Sequence, residues 1–568
     1  MINSTSNFQI KKRIFFTTLG LLLFLFSWTI YLFFIPFKDE LVKKAVAQRL
    51  TSYTLDDGRA HFLDRHLRPL GIEKQWVLVV FPQAKSHLTQ HREQQLVDIL
   101  TAEKRTWDAF LRNLKSEARA WQNQSDKTPY ALSPNQARQI RALNIKGLVV
   151  AEQTVRNRPS RVAKQLIGIV GENAQLLQKL YPHAMQNGER TMISPLGVTG
   201  LERSFEKRIA GIGQSKIAWY QPSTEIRMMK TIHADFPLRV LTTIDYDAQR
   251  QVERAMADLR VQQGSVVVLD RQNADIFVMA SRPATDIRNH ALIELTPGSI
   301  FKTVVALASL TEQKVTSDTL FDCDGSYGNY KFVCWRRAGH GKLTARQAYA
   351  HSCNIAFAEM ARALSATAIE RSAKSLGLAS EVSWQSNDLK PLMEEQAGLI
   401  FANKTNRDDH GALIQTAIGQ RDVRMTPLQA ANMIVTILNE GQLMAPRVVR
   451  EIQFRSGVTK ERFASQIIHT TNPERRRASR ILRTWMRDTV TIGTAQSLDS
   501  AGEYLEGKTG TAQVFDQGQK KVNQWFVGAV ANRFAIAVVV ENVHPEAPQQ
   551  ALPLTQRLLG ILQNYAKK

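Results

Sequence analysis

From Ile14 to Phe37 the chain reads IFFTTLGLLLFLFSWTIYLFFIPF, 24 residues without a formal charge. A water-soluble domain does not present such a run on its surface, and it is too long for a buried core segment. As a helix rising about 1.5 Å per residue, it can cross a bilayer core of roughly 30 Å. The apolar part of a cleaved signal peptide is shorter, about 7 to 15 residues, and ends at small side chains. This run stays bulky to its end, so an uncleaved anchor over 14–37 is expected. Lys11, Lys12 and Arg13 precede it, while Lys38, Asp39 and Glu40 follow with almost no net charge. Cationic flanks stay on the cytoplasmic side. Residues 1–13 are then a short cytoplasmic tail of a single-pass protein, and the rest lies outside the cytoplasm at the cell membrane.

That placement decides how the charge is read. Lys and Arg total 74 against 51 Asp and Glu, a formal +23, which suits anionic partners. The sequence carries no zinc-finger spacing and no aromatic RNA-binding signature, so nucleic acid is not an expected partner. Anionic lipid, wall polymer or a phosphorylated lipid substrate fits better. At 568 residues the chain exceeds one hydrophobic core. Three cysteines are too few for a disulfide scaffold or a four-thiolate zinc site.

Residues 38–240 are polar and helical in places, for example over 92–117, with one strand candidate at 76–81. This stretch offers no nucleophile with a matched base and reads as a spacer and interaction domain. Glycines and prolines punctuate 182–222, just before and after a candidate helix at 201–209. Near Leu241 the pattern changes. Asp245 is placed to cap an amphipathic helix over 247–259. Strand candidates at 264–270 and 275–280 form one hairpin, those at 525–531 and 534–540 a second around Asn532-Arg533, and a helix over 554–566 follows. Strands from both ends of a region with helices between them imply one α+β domain over 241–568, an antiparallel sheet flanked by helices.

Three short motifs in that domain carry chemistry. Pro297-Gly298-Ser299-Ile300-Phe301-Lys302 opens an apolar helix, putting Ser299 and Lys302 about one turn apart on one face. A serine hydroxyl attacks only when a base takes its proton, and a desolvated lysine can be that base. Ser352-Cys353-Asn354, in a helical region, supplies a second hydroxyl and an amide able to hold both the lysine and a peptide bond. Lys508-Thr509-Gly510-Thr511 directly precedes the second hairpin. Its glycine permits close approach of a ligand, and its lysine and hydroxyls suit a carboxylate. In this order the three point to serine acyl transfer.

On these motifs the chain resembles the penicillin-binding, serine D,D-transpeptidase superfamily. Gly339-His340-Gly341, Ala417-Ile418-Gly419-Gln420, Thr426-Pro427-Leu428-Gln429 and Trp525-Phe526-Val527-Gly528 add to the likeness. The short tail, single anchor and non-catalytic stalk are similar to the monofunctional class B members. In the stalk, Gly58-Arg59-Ala60-His61-Phe62-Leu63-Asp64-Arg65 matches the family's pedestal motif only in part, and Gly200-Leu201-Glu202 matches another pedestal element better. The resemblance implies a pedestal, dimerisation-like domain over 38–240 and a transpeptidase domain over 241–568. It implies that Ser299 attacks a stem-peptide D-Ala-D-Ala, with Lys302 as acylation base and Ser352 and Lys508 passing a proton to the leaving amine. Asn354 would position Lys302 and the donor. Thr509, Gly510 and Thr511 would form the donor carboxylate site, and the backbone amides of Ser299 and Thr511 the oxyanion hole. No metal or organic cofactor is implied. Implied partners are stem peptides and lipid-linked precursor, beta-lactams as covalent inhibitors, a separate membrane glycosyltransferase and other wall-assembly proteins. A D,D-carboxypeptidase sharing the acyl-enzyme, and an inert penicillin-binding sensor or scaffold, are the alternatives.

Other features have plainer readings. Cys323 and Cys334 lie eleven residues apart, and outside the cytoplasm a disulfide and two free thiols are both open. Cys353 reads as helix packing. His340 and His351 read as structural because neither sits in a metal-binding array at sequence spacing. Arg475, Arg476, Arg477, Arg480, Arg483 and Arg487 read as a solvated helix face.

Overall fold

The computed structural model describes residues 4–34, 50–56, 58–115, 117–124, 128–156, 162–187, 190, 192, 194–210, 215–220, 228–232, 238–328, 332–454, 456–501 and 505–566. The apolar run lies in a helix over Ser4–Phe34. Its window Lys12–Tyr31 is 0% buried and is long and apolar enough to cross a membrane. Residues 35–37 of the expected anchor lie outside the described residues.

The chain divides into two compact units. The first takes in residues 1–58, 74–154 and 213–235. Its center is the strand Ile72–Val80, flanked by Arg119–Ala120 and Leu148–Arg156. Strand alternation sends Leu78 and Val80 to one face and Val77 and Val79 to the other. The first face packs on Trp107 and Trp121, whose ring centroids lie 5.4 Å apart. The helical stretch expected at 92–117 is two helices, Gln90–Ile99 and Lys104–Asn113. Ser133 and Gln136 cap the helix Pro134–Ala142 reciprocally.

The second unit takes in residues 59–73, 155–212 and 236–568. Its main sheet has strands β1 (Gly264–Asp270), β2 (Ile276–Arg282), β3 (Leu505–Asp516), β4 (Gln519–Val530) and β5 (Phe534–Val543). All pairs are antiparallel, in the order β2-β1-β5-β4-β3, so β3 is an edge strand. Both faces are covered, which explains the near-continuous Val/Ile/Ala content. Val267, Leu269 and Val539 pack toward the helices Lys302–Thr311 and Pro427–Leu438, and Val266, Val268 and Val538 toward Tyr246–Asp258 and Ala551–Ala566. Each such side chain contributes about 1.5–3 kcal/mol on burial. Asp245 caps Tyr246–Asp258 as expected, accepting from the Ala248 amide. Pro427–Leu438 is buried along its whole length behind a Thr426–Gln429 capping box.

The unit also crosses the 240/241 line drawn from the sequence. Arg239–Thr242 pairs in parallel with His61–Leu63 and antiparallel with Val449–Gln453. Nearby, buried Arg59 meets Glu202 and Glu206 at 2.8 Å each, and Arg156 reaches Glu202 at 3.2 Å. The partial pedestal motif and the Gly-Leu-Glu element are therefore halves of one ion cluster.

Candidate active site

The segment before Ser299 is set by close backbone approach. Gly298 has φ +59°, and a Cβ there would sit 2.5 Å from the Thr511 carbonyl oxygen. Glycine thus lets the tight turn Gly298–Phe301 lie against β3 before the chain enters the helix Lys302–Thr311. The Gly298 amide donates to the Gly419 carbonyl at 3.0 Å. Trp525 on β4 donates its indole N–H to the Thr296 carbonyl at 3.1 Å. The supporting motifs noted in the sequence therefore brace the nucleophile's turn.

Lys302 is completely buried. Its Nζ donates to the Ser352 carbonyl at 2.8 Å, to Ser352 Oγ at 3.2 Å and to Asn354 Oδ1 at 2.7 Å. All three acceptors are neutral, so burial dominates and lowers its pKa to about 8. Asn354 uses its other end too, donating from Nδ2 to the Val333 carbonyl at 3.2 Å. Ser352 and Cys353 lie in a break between two helices, Ala345–Ala350 and Asn354–Arg362, and Asn354 opens the second. Ser352 takes φ +54° there, a strained conformation for a residue with a Cβ. The turn brings its carbonyl and its hydroxyl to the same lysine.

Lys508 is also completely buried; its Nζ donates to the Thr509 carbonyl at 2.9 Å and lies 5.7 Å from the Tyr349 ring centroid. Burial, and then the charge of Lys302, push its pKa well down. Among the described residues β3 pairs only with β4, with Lys508 opposite Val527 and Gly510 opposite Trp525. A Cβ on Gly510 would meet Ile300 Cγ2 and the Pro297 carbonyl at 2.9 Å, so only glycine admits the serine turn there. Thr509 shares a hydroxyl hydrogen bond with Thr494, and Thr511 is exposed.

Ser299, Ser352, Asn354, Thr509, Gly510 and Thr511 line one cavity of about 870 Å³. Lys302 and Lys508 lie buried beside it. Every catalytic or substrate-binding residue expected from sequence thus falls at this site. The sequence reading missed Trp335, Arg337, Gln415, Thr494 and Lys520, which line the same cavity from distant segments. It also misread Arg483, whose guanidinium grips the fully buried Glu506 at 2.9 Å instead of lying solvated. Cys323 and Cys334 are free buried thiols.

A serine at a helix start, one turn from a buried lysine that a second serine and an asparagine hold, beside an open strand edge, defines a serine acyltransferase. Residues 264–559, just over half of the chain, match the family model for the penicillin binding protein transpeptidase domain. The chain belongs to the penicillin-binding-protein transpeptidase family. Over its length it is 24% identical to stage V sporulation protein D of Bacillus subtilis, covering 92% of this chain and 80% of that one. It is 22% identical to the peptidoglycan D,D-transpeptidase MrdA of Haemophilus influenzae, covering 65% and 63%. Among solved structures, a chain from work on polymerization and crosslinking by a peptidoglycan synthase complex aligns with TM-score 0.67 at 22% identity, covering 97% and 98%. The protein is a single-pass membrane D,D-transpeptidase-type enzyme with an extracytoplasmic catalytic domain.

Proposed function

We propose that the enzyme cross-links peptidoglycan stem peptides through an acyl-enzyme on Ser299. Neutral Lys302 takes the Ser299 proton as Oγ attacks the carbonyl carbon of the penultimate D-Ala. The backbone N–H groups of Ser299 and Thr511 receive the oxyanion. Collapse breaks the C–N bond, a proton reaches the departing amine through Ser352 and Lys508, and terminal D-Ala leaves. Thr509 and Thr511 hold the donor carboxylate, and Gly510 keeps the strand close. An acceptor amine then attacks the ester and restores Ser299. A beta-lactam would form the same ester and block the site. Residues 38–240 serve as a pedestal, and a separate glycosyltransferase and membrane-anchored assembly proteins supply and position the glycan strands.

The observation that carries this reading is Lys302, wholly buried among neutral acceptors from Ser352 and Asn354 and one turn from Ser299. The test is intact-mass analysis after labelled penicillin, with peptide mapping and a Ser299→Ala control. One adduct on Ser299 that vanishes in the variant is expected; its absence from folded protein, together with inertness toward a stem-peptide substrate, overturns the reading. With lipid-linked donor, dimeric stem peptides mark a transpeptidase and trimmed monomers alone a carboxypeptidase.

A further inference from the structure

The active-site cavity carries a charge imbalance that acyl transfer does not use. Among the described residues no Asp or Glu lines it, and its two charged side chains are both cationic, Arg337 and Lys520. Neither has a carboxylate partner among the described residues. The terminal carboxylate of the donor goes to the hydroxyls of Thr509 and Thr511, so both cations are left over for a further negative charge.

The edge strand β3 sets where that charge would lie. Its first four residues, Leu505 to Lys508, are buried, whereas Thr511, Gln513, Phe515 and Asp516 are exposed. A peptide anchored by its terminal carboxylate at Thr509 and Thr511 therefore has open strand only in the direction of Phe515. There Gln513 stands opposite Val522 and Phe515 opposite Lys520, and directly opposed side chains share a face. Alternation puts Thr511, Gln513, Phe515 and Lys520 on one face and Lys521 on the other. Lys520 lines the cavity, and Phe515 is 78% exposed beside it. An open aromatic ring next to an uncompensated ammonium suits a long aliphatic side chain that ends in a carboxylate: the methylenes cover the ring and the carboxylate accepts from Nζ. The distance fits. Thr511 and Phe515 are four rises apart, about 14 Å. The residue before the penultimate D-Ala lies about one rise along that path, and its side chain and that of Lys520 span the rest between them.

We propose that Phe515 and Lys520 select donors whose residue before the penultimate D-Ala carries a free carboxylate at the end of a long aliphatic side chain. This preference rests on Ser299 acyl transfer as proposed above and names its donor class: the acid is favoured over the corresponding amide, and over a side chain ending in an amine.

The test compares kcat/KM of the full-length protein in detergent for synthetic D-Ala-D-Ala donors that differ only at that position, free acid against amide. A second pair, free acid against amide at a carboxylate one residue further from the D-Ala end, tells the two sources of charge apart. Wild type should favour the first acid about fivefold, the upper range for an exposed ion pair, less so at high salt, and should treat the second pair alike. Lys520→Gln should bring the first ratio to about one, Lys520→Arg should keep it, and Lys520→Glu should favour an amine-ended donor. Lys521→Gln, the same charge change on the opposite face, should keep the wild-type ratio. Each ratio is measured within one protein, so the folded fraction cancels. Equal rates for the first pair in wild type overturn the proposal, as does a preference confined to the second pair or one that survives in Lys520→Gln. Wild type that labels Ser299 with penicillin and consumes both donors equally leaves the acyl-enzyme reading intact; wild type that does neither overturns both.

Discussion

Two buried charged regions of the second unit make opposite use of the interior. Around Arg59, cation and anion are matched: Glu202 and Glu206 face it and Arg156 adds a second guanidinium. Burial opposes the charge on Arg59, yet the two carboxylates raise its pKa above the ordinary value. Around Lys302 and Lys508 two cations are buried, and the hydrogen bonds of both go to neutral oxygens. The first region holds charge in place; the second makes charge easy to give up. A compensated cluster reads as architecture, whereas an uncompensated lysine reads as a base.

The largest expected break in this contrast is at Lys302. Lys302→Met should slow penicillin acylation by about 10²–10⁴-fold, the usual worth of a positioned base, while calorimetry shows a fold at least as stable as wild type, because a poorly compensated charge has been removed. Glu202→Ala should do the reverse. It removes one of the two carboxylates that face Arg59 and the one that meets Arg156, and should cost about 3–5 kcal/mol in denaturant titration, with acylation per folded molecule nearly unchanged. A stable Glu202→Ala protein with slow acylation would erase the distinction.

pH sharpens the same comparison. With its pKa at about 8, Lys302 is mostly protonated below that value, so acylation should rise about tenfold per pH unit up to about pH 8 and then level. Stopped-flow measurements on wild type should show this limb. Linkage gives a second check. Between about pH 8 and the ordinary lysine range the unfolded state binds the proton more tightly, so this group makes stability rise with pH across that window. The rise should shrink in Lys302→Met, leaving the part that buried Lys508 contributes. A smaller effect is expected from Gly510→Ala, whose Cβ would crowd Ile300 and Pro297; about 1–3 kcal/mol of stability should be lost, with slower acylation. Smallest is Thr511→Val at an exposed position, which should weaken binding of a carboxylate-bearing donor by about 1 kcal/mol, seen as a raised KM, and leave the melting temperature unchanged.

The parts of this site legible in the sequence are those whose signals are local. Pro297-Gly298 announces a helix start, and Lys508-Thr509-Gly510-Thr511 is contiguous in the sequence directly ahead of the second hairpin. The break at Ser352 was not legible, because the helical pattern of 355–360 runs straight up to it and a positive φ at serine leaves no compositional mark. Charge spacing could not reveal that Arg483 finds Glu506, 23 residues on and buried beneath it. The pairing of His61–Leu63 with Arg239–Thr242 was not legible for a similar reason: it spans a long separation, and parallel pairing needs no turn signal between partners. Cys323, Cys334, His340 and Cys353 gather from spacings that match no familiar ligand pattern. The fold brings their side-chain atoms within 4.8 Å of one another.

The wholly exposed helix at Lys12–Tyr31 has a kinetic consequence. Once seated in a bilayer it confines the enzyme to a surface, so encounters with any substrate held in the same membrane become searches in two dimensions at a raised effective concentration. A detached catalytic unit and a free peptide must meet in bulk solution. Rate constants from such a pair will rank substrates and variants faithfully, yet they will understate how often the tethered enzyme meets its donor.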